Sequence, residues 1–347
     1  MFLKYFGLSE QPFGVTPDPR FLYLSSAHRE ALASLYYGIE ANRGFLGLIA
    51  QPGMGKTTLL FHLLEKFQNS AHTAFIFQTQ CNPREFMRFL LAEVGYEGDT
   101  QDLVRLHEEF NRRLLDEARA GRRMILVIDE AQNLAPDVLE TVRLLSDFET
   151  PRAKLMHIIL SGQPQLADKL ASPGLAQLRQ RVSILHGLEP LTFSEVRSYI
   201  EHRLKIAGYS GDTPFTREAY EIIAKFTQGI PRNVNNFCFN AFALACALQK
   251  KTVDADIAKE VMGDLDISRF TSAALPENPC FEPVSDPSAD LTLVDAEIGS
   301  EGDILSPAEA AAYMQEVVLK LKSWQRSLKK NGGVESEISS ASGGDRS

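Results

Sequence analysis

Short apolar runs alternate with amphipathic stretches along the first 191 residues of this chain. The runs are "GFLGLIA" (44–50), "TAFIFQTQ" (73–80), "RMILVIDE" (123–130), "LMHIILSG" (155–162) and "SILHGLEPL" (183–191). Each is too short for a buried helix of ordinary length, and the third is apolar on both faces, as a strand covered from both sides must be. The segments between them carry helical spacing: 26–41, opened by Ser26, the stretch from the glycine loop to about Phe67, then 83–96, 100–121 and 136–149. Strands that alternate with helices predict an α/β fold, with a parallel sheet and helices on both faces. After Pro190 the pattern changes, and four helical segments follow with no strand between them, predicting a small all-helical lid domain over 192–267.

The ends read differently. Residues 1–25 hold "PFGVTPDPRFLYLS", whose prolines and aromatics predict an extended strap, so residues 1–43 are read as a strap followed by one helix. The stretch 268–305 is rich in Pro, Ser, Asp and Glu and predicts an acidic disordered linker. "SPAEAAAYMQEVVLKLKSWQRSL" (306–328) then predicts an amphipathic helix, with Ser306 as N-cap, Pro307 at the first position and Glu309 at the third. Its stripe of Ala310, Met314, Val317, Leu321, Trp324 and Leu328 suits a protein partner or the body of the same chain. Residues 329–347 are a polar, disordered tail.

Charge narrows the partners. The chain carries a net −9, of which −6 falls after residue 266, so the body is close to neutral and has no strongly basic nucleic-acid footprint. Cys81, Cys238, Cys246 and Cys280 show no C-x-x-C spacing and no clustering with histidines, the usage of reduced thiols in a cytoplasmic protein. No signal-peptide pattern opens the chain. The most apolar helix, "FCFNAFALACAL" (237–248), is shorter than the ~20 residues a membrane span needs and contains Asn240, so no direct span is expected.

The candidate chemistry begins at "GLIAQPGMGKTTLL" (47–60). A strand enters this loop and a helix leaves it, the context a phosphate-binding loop requires. Gly53 and Gly55 let backbone N–H groups converge on phosphate oxygens at a helix N-terminus, Lys56 reaches the outer phosphates and Thr57 offers a hydroxyl to Mg²⁺. Ala50 stands where the usual pattern has its first glycine; at a strand end a methyl group is tolerated if φ stays negative.

"MILVIDEAQ" (124–132) ends a buried strand in Asp129 and Glu130. Two acids there are costly without a purpose. Beside a phosphate loop, Asp129 serves Mg²⁺ and Glu130 the attacking water. A polar residue at the end of "IILSGQPQL", Ser161 or else Gln163, is placed to sense the terminal phosphate. Arg179, Arg181 and Arg232 are candidate cations for transition-state charge, although most arginines are simply solvated.

Together these motifs resemble the AAA+ ATPases, and more narrowly the general secretion pathway protein A (ExeA-type) family. The start "YFGLSEQPFGVTPDPRFLYLSSAHREALASLYYGI" is similar to that family's N-terminal signature. "QPGMGKTTLL", "LVIDEAQNL", "ILSGQPQL", "QLRQRVSILHGLEPLT", "YIEHRLKIAG" and "GIPRNVNNFC" follow in order over about residues 1–267. The resemblance implies ATP and Mg²⁺ as cofactors, with nucleotide in the cleft between sheet and lid. Pro52, Gly53, Met54, Gly55, Lys56, Thr57 and Thr58 would hold the phosphates, Thr57 and Asp129 the metal. It further implies Walker B acids at Asp129 and Glu130, sensor 1 at Ser161, an arginine finger at Arg181 acting on the next subunit, and sensor 2 at Arg232. The strap, near Phe13, would line the adenine pocket.

Family members continue into a membrane span and a periplasmic peptidoglycan-binding region, whereas this sequence continues into the acidic linker and helix. The motor is expected to carry over and the cargo is not. The reading is therefore a cytoplasmic AAA+ ATPase, self-associating with nucleotide, that serves as motor or switch of a secretion- or export-type apparatus. The alternative is an ATP-dependent DNA-binding regulator like the MuB/TniB-type transposition ATPases, against which the near-neutral body weighs.

Overall fold

A computed structural model of the chain describes residues 2–265 except 78, 97, 99, 151 and 152. The chain starts with α1 (Phe2–Phe6), then α2 (Ser26–Glu40), β1 (Phe45–Ile49), α3 (Lys56–Glu65), β2 (Ala71–Ile76), α4 (Pro83–Glu93), α5 (Leu103–Arg119), β3 (Arg123–Ile128) and α6 (Pro136–Leu145). A two-residue hairpin, β4 (Glu149–Thr150) and β5 (Ala153–Lys154), precedes β6 (Met156–Gly162), α7 (Pro164–Ala171), α8 (Ala176–Arg181) and β7 (Val182–Gly187). Among the described residues, the elements that follow are helices: α9 (Phe193–Ile206), α10 (Arg217–Thr227), α11 (Pro231–Ala247) and α12 (Ala255–Leu265). The expected linker, helix 306–328 and tail lie outside the described residues.

The sheet has five strands in the order β2-β3-β6-β1-β7, all parallel. The alternation of side chains along each strand sends Met124, Leu126, Ile128, Met156, Ile158 and Leu160 into one core with α4, α5 and α6. Their neighbours Ile125, Val127 and Ile159, also fully buried, face α2 and α3. On that side Phe61 of α3 meets Phe75 of β2 at 5.0 Å between ring centroids, and Tyr36 of α2 stacks on Phe67 at 5.1 Å. The continuous apolar runs of the sequence are thus strands covered on both faces.

His157 lies on the α2–α3 side of β6 by the same alternation. It is fully buried, and neither ring nitrogen has a hydrogen-bond partner. Burial, with the Arg123 guanidinium nearby adding to it, pushes its pKa down to about 4. The unfolded histidine takes up a proton near pH 6.5, and the folded one does not until about pH 4. Folding stability is therefore present above pH 6.5 and lost as pH falls toward 4, by up to about 3 kcal/mol. His157→Ile is expected to raise stability at pH 7 by about 1–3 kcal/mol and to flatten that part of the acid slope. Urea denaturation of both proteins at pH 7 and pH 4.5 checks it; parallel slopes would contradict the assignment.

The second core gathers α9, α10, α11 and α12. The chain before α2 belongs to it: Phe2, Phe6, Leu8, Phe13 and Phe21 are all buried there. The strap is not wholly extended as its prolines suggested. Phe2 and Phe6, one helical turn apart, dock on α11, with the Phe6 and Phe242 rings 4.3 Å apart edge to face, and that packing sustains the short α1. A 3₁₀ turn at Pro19–Phe21, capped by Asp18, ends the segment. Two further short helices, α7 and α8, carry too few turns to show helical periodicity in the sequence.

Candidate active site

The loop between β1 and α3 has the conformation its glycines allow. Gly53 and Gly55 take φ of 82° and 83°, and a Cβ on Gly53 would lie 2.7 Å from Cβ of Arg232. Ala50 is not among the residues of positive φ. It is buried, its N–H donates to the Gly162 carbonyl (3.0 Å), and its own carbonyl accepts from Lys56 Nζ (3.0 Å). An alanine therefore fits this position without strain, in the negative-φ backbone it requires. Lys56 is 5% exposed and also donates to the Gln51 carbonyl (3.3 Å). Burial lowers its pKa, Glu130 and Asp129 oppose that, and Arg232 adds to it.

The acidic pair stands at the end of β3. Asp129 is buried with both carboxylate oxygens engaged: Oδ2 accepts from Thr57 Oγ1 (2.6 Å), and Oδ1 accepts from Ser161 Oγ (2.8 Å) and from the Glu130 N–H (3.0 Å). These oxygen donors are hard ligands, the set a Mg²⁺ ion takes, so the residues present fit the metal. Glu130 has φ of 52°, which ends the strand and turns its side chain toward the cleft. Its Oε2 accepts from Gln132 Nε2 (2.6 Å) and Gln163 Nε2 (3.0 Å), and Gln132 Oε1 accepts from the Gln163 N–H (3.1 Å). Ser161 thus touches Asp129, while Gln163 touches Glu130. Gln132 was missed in the sequence, although its place two residues after Glu130 is itself a signal.

A cleft of about 370 Å³ brings the loop, Glu130 and Gln163 together, while Asp129, Ser161 and Gln132 lie behind its lining. Pro52 to Thr58, Glu130 and Gln163 line it from the sheet side, and Tyr199, Arg203, Arg232 and Asn235 from the helical side. Arg232 sits over the loop, its N–H donating to the Gly53 carbonyl (3.1 Å). The strap closes one wall with Gly14 to Asp18. Phe13 does not line the cleft; it packs inward against Phe242 at 5.6 Å between centroids. The wall is held by residues the sequence reading passed over. Asn235 Nδ2 donates to the Gly14 carbonyl (3.2 Å), Tyr199 Oη donates to Asn235 Oδ1 (2.8 Å), and the buried Arg203 donates to the Pro12 carbonyl and to Tyr199 Oη (3.2 Å).

Two arginines lie elsewhere. Arg181, at the end of α8, donates to Ser146 Oγ (2.9 Å) and pairs with Asp147 at the end of α6. Arg179 is exposed and donates to the Ala171 carbonyl (3.1 Å). Neither lines the cleft of its own chain.

A five-stranded parallel sheet of this order, a glycine loop opening a helix beside an acidic strand end, and a helical bundle over the cleft define an AAA+ P-loop fold. Comparison with known proteins agrees. Residues 39–170 match the family model described as "AAA domain". The general secretion pathway protein A of Aeromonas hydrophila is 37% identical over 286 residues, covering 79% of this chain and 51% of that relative. The chain thus carries an AAA domain and is similar over most of its length to general secretion pathway protein A, of which it spans about half. Among solved structures, the ORC2 protein of Aeropyrum pernix aligns with a TM-score of 0.57 at 15% identity, over 77% of this chain and 75% of its own. Cdc6p of Pyrobaculum aerophilum aligns at 0.55 and 18%, over 76% of each chain. Both show likeness of fold. No helix among the described residues is long and apolar enough to cross a membrane.

Proposed function

We propose that this protein binds and hydrolyses ATP with Mg²⁺, and works as a nucleotide-driven motor or switch of a secretion- or export-type apparatus. The observation that carries the chemistry is the pair of carboxylates at the end of β3, fixed by different partners. Asp129 is bound by Thr57 and Ser161, which holds its oxygens where the loop ends; Glu130 is held by two amides and faces the cleft. That division gives Asp129 and Thr57 the metal, and leaves Glu130 to accept the proton of the attacking water. Held there by Asp129 and Thr57, Mg²⁺ would supply positive charge against the charge that develops on the phosphates. Gly53 and Gly55 open the backbone so that its N–H groups face the phosphates, and Lys56 adds positive charge at the floor of the cleft. Ser161 orients Asp129, Gln163 and Gln132 orient Glu130, and Arg232 approaches from the helical side.

The test is ATP turnover with Mg²⁺, compared with Lys56→Ala. The variant is expected to bind a fluorescent ATP analogue at least about tenfold more weakly and to lose turnover. Equal binding by both proteins would sink the assignment of the cleft. The apparatus role rests on the name and likeness of the bacterial relative. It is tested by asking whether ATP-loaded Glu130→Gln protein retains a component of a secretion or export assembly; recovery of no such component would remove that role and leave the ATPase reading standing.

A further inference from the structure

One buried polar group near the loop has no part in that chemistry. His28, on the first turn of α2, is 3% exposed and does not line the cleft. Its Nε2 faces the Met54 carbonyl at 3.1 Å and its Nδ1 faces Ser25 Oγ at 2.7 Å. A carbonyl only accepts, so Nε2 carries the proton, and Nδ1 accepts from the serine hydroxyl. Burial lowers the pKa of the ring, in keeping with this neutral form.

The contact bears on a weak point of the loop. Met54 and Gly55 share one peptide plane, and in a trans peptide the C=O and the following N–H point in opposite directions; no cis peptide occurs among the described residues. Holding the Met54 carbonyl toward His28 therefore aims the Gly55 N–H the other way, to the cleft that Gly55 lines. Gly55, at φ of 83°, tolerates both signs of φ. The freedom that lets the loop form would also let this plane flip and present a carbonyl oxygen to phosphate. His28 opposes the flip.

The turn that carries His28 is itself tied to the helical side. Glu195 Oε1 accepts from the Ser26 N–H and Oγ (both 2.9 Å), and its Oε2 accepts from the Thr192 N–H and Oγ1 (both 3.0 Å). One carboxylate thus caps the starts of both α2 and α9.

We infer that His28 is a positioning residue that locks the Met54–Gly55 peptide in its phosphate-binding orientation, anchored through Ser26 and Glu195 to the first helix of the lid. This rests on the reading that nucleotide phosphates occupy the loop. The test uses the full chain and a fluorescent ATP analogue with Mg²⁺, and wild-type binding settles that prior reading before any variant is compared. His28→Gln keeps a donor that reaches the Met54 carbonyl, and His28→Leu fills a similar volume without one. The leucine variant is expected to bind about tenfold more weakly and the glutamine variant within about threefold of wild type, with similar melting temperatures in the absence of nucleotide. Glu195→Gln, which sets an amide against a donor, is expected to weaken binding about threefold and covers the case in which the leucine variant does not fold. Equal loss in the leucine and glutamine variants, or wild-type affinity in both the leucine and Glu195→Gln variants, overturns the inference.

Discussion

Replacing Glu130 by glutamine is expected to lower ATP turnover by about 10²–10⁴-fold, the range a positioned general base supplies, and to leave nucleotide affinity within a few-fold of wild type. The two effects separate because Glu130 does not belong to the loop that grips phosphate. Its carboxylate lines the cleft and meets both glutamine amides through one oxygen, Oε2, whereas both carboxylate oxygens of Asp129 already accept, from Thr57, Ser161 and the Glu130 N–H. Glutamine matches the shape and can still meet Gln132 and Gln163 after rotation of its amide, but it has no basic oxygen to offer. Single-turnover hydrolysis together with equilibrium binding checks the split. Turnover within about threefold of wild type would show that the proton goes elsewhere.

Arg181→Ala is expected to cost about 10³-fold or more in turnover, the scale on which an arginine supplied to a phosphoryl-transfer site acts. The cleft of the same chain would be unaltered. Arg181 is held on α8 by Ser146 and Asp147 and does not line its own cleft, so a role in hydrolysis requires a neighbouring copy. The half-exposed pair with Asp147 adds little stability, and the melting temperature should hardly move. Complementation gives the sharper reading: Arg181→Ala supplies an intact cleft, Glu130→Gln supplies an intact arginine, and a co-assembled mixture should recover turnover that neither variant has. A mixture that co-assembles by light scattering yet stays inactive would argue against a shared site. Full turnover by Arg181→Ala alone would remove the arginine from the mechanism.

Much of this site was legible because its residues stand at punctuation points of the chain. Lys56 and Thr57 follow two glycines at a strand-to-helix turn, and Asp129 and Glu130 interrupt an apolar run, so spacing and residue type sufficed. His28, Tyr199, Arg203 and Asn235 were not legible in that way. Each lies inside a helix, where a polar residue reads as solvated surface, and its burial depends on elements up to 221 positions away along the chain. Gln163 was seen only as a second choice to Ser161, because sequence cannot say which of two nearby polar groups turns toward which acid. The five strands were plain from their apolar runs, but their ends were read too long: β3 stops at Ile128, where the backbone of Glu130 turns left-handed. The short helices α1, α7 and α8 depend on tertiary packing more than on local pattern.

The placement of the N-terminal segment bears on what holds the helical bundle together. Residues 2–21 share a core with α9 to α12, whereas α2 belongs to the sheet. The chain therefore passes between sheet and bundle twice, once just before α2 and again just before α9. Both crossings meet at Glu195, whose single carboxylate accepts from Ser26 and from Thr192. Removing residues 2–21 would thus strip Phe2, Phe6, Leu8, Phe13 and Phe21 from the bundle and leave the residues of the sheet core in place.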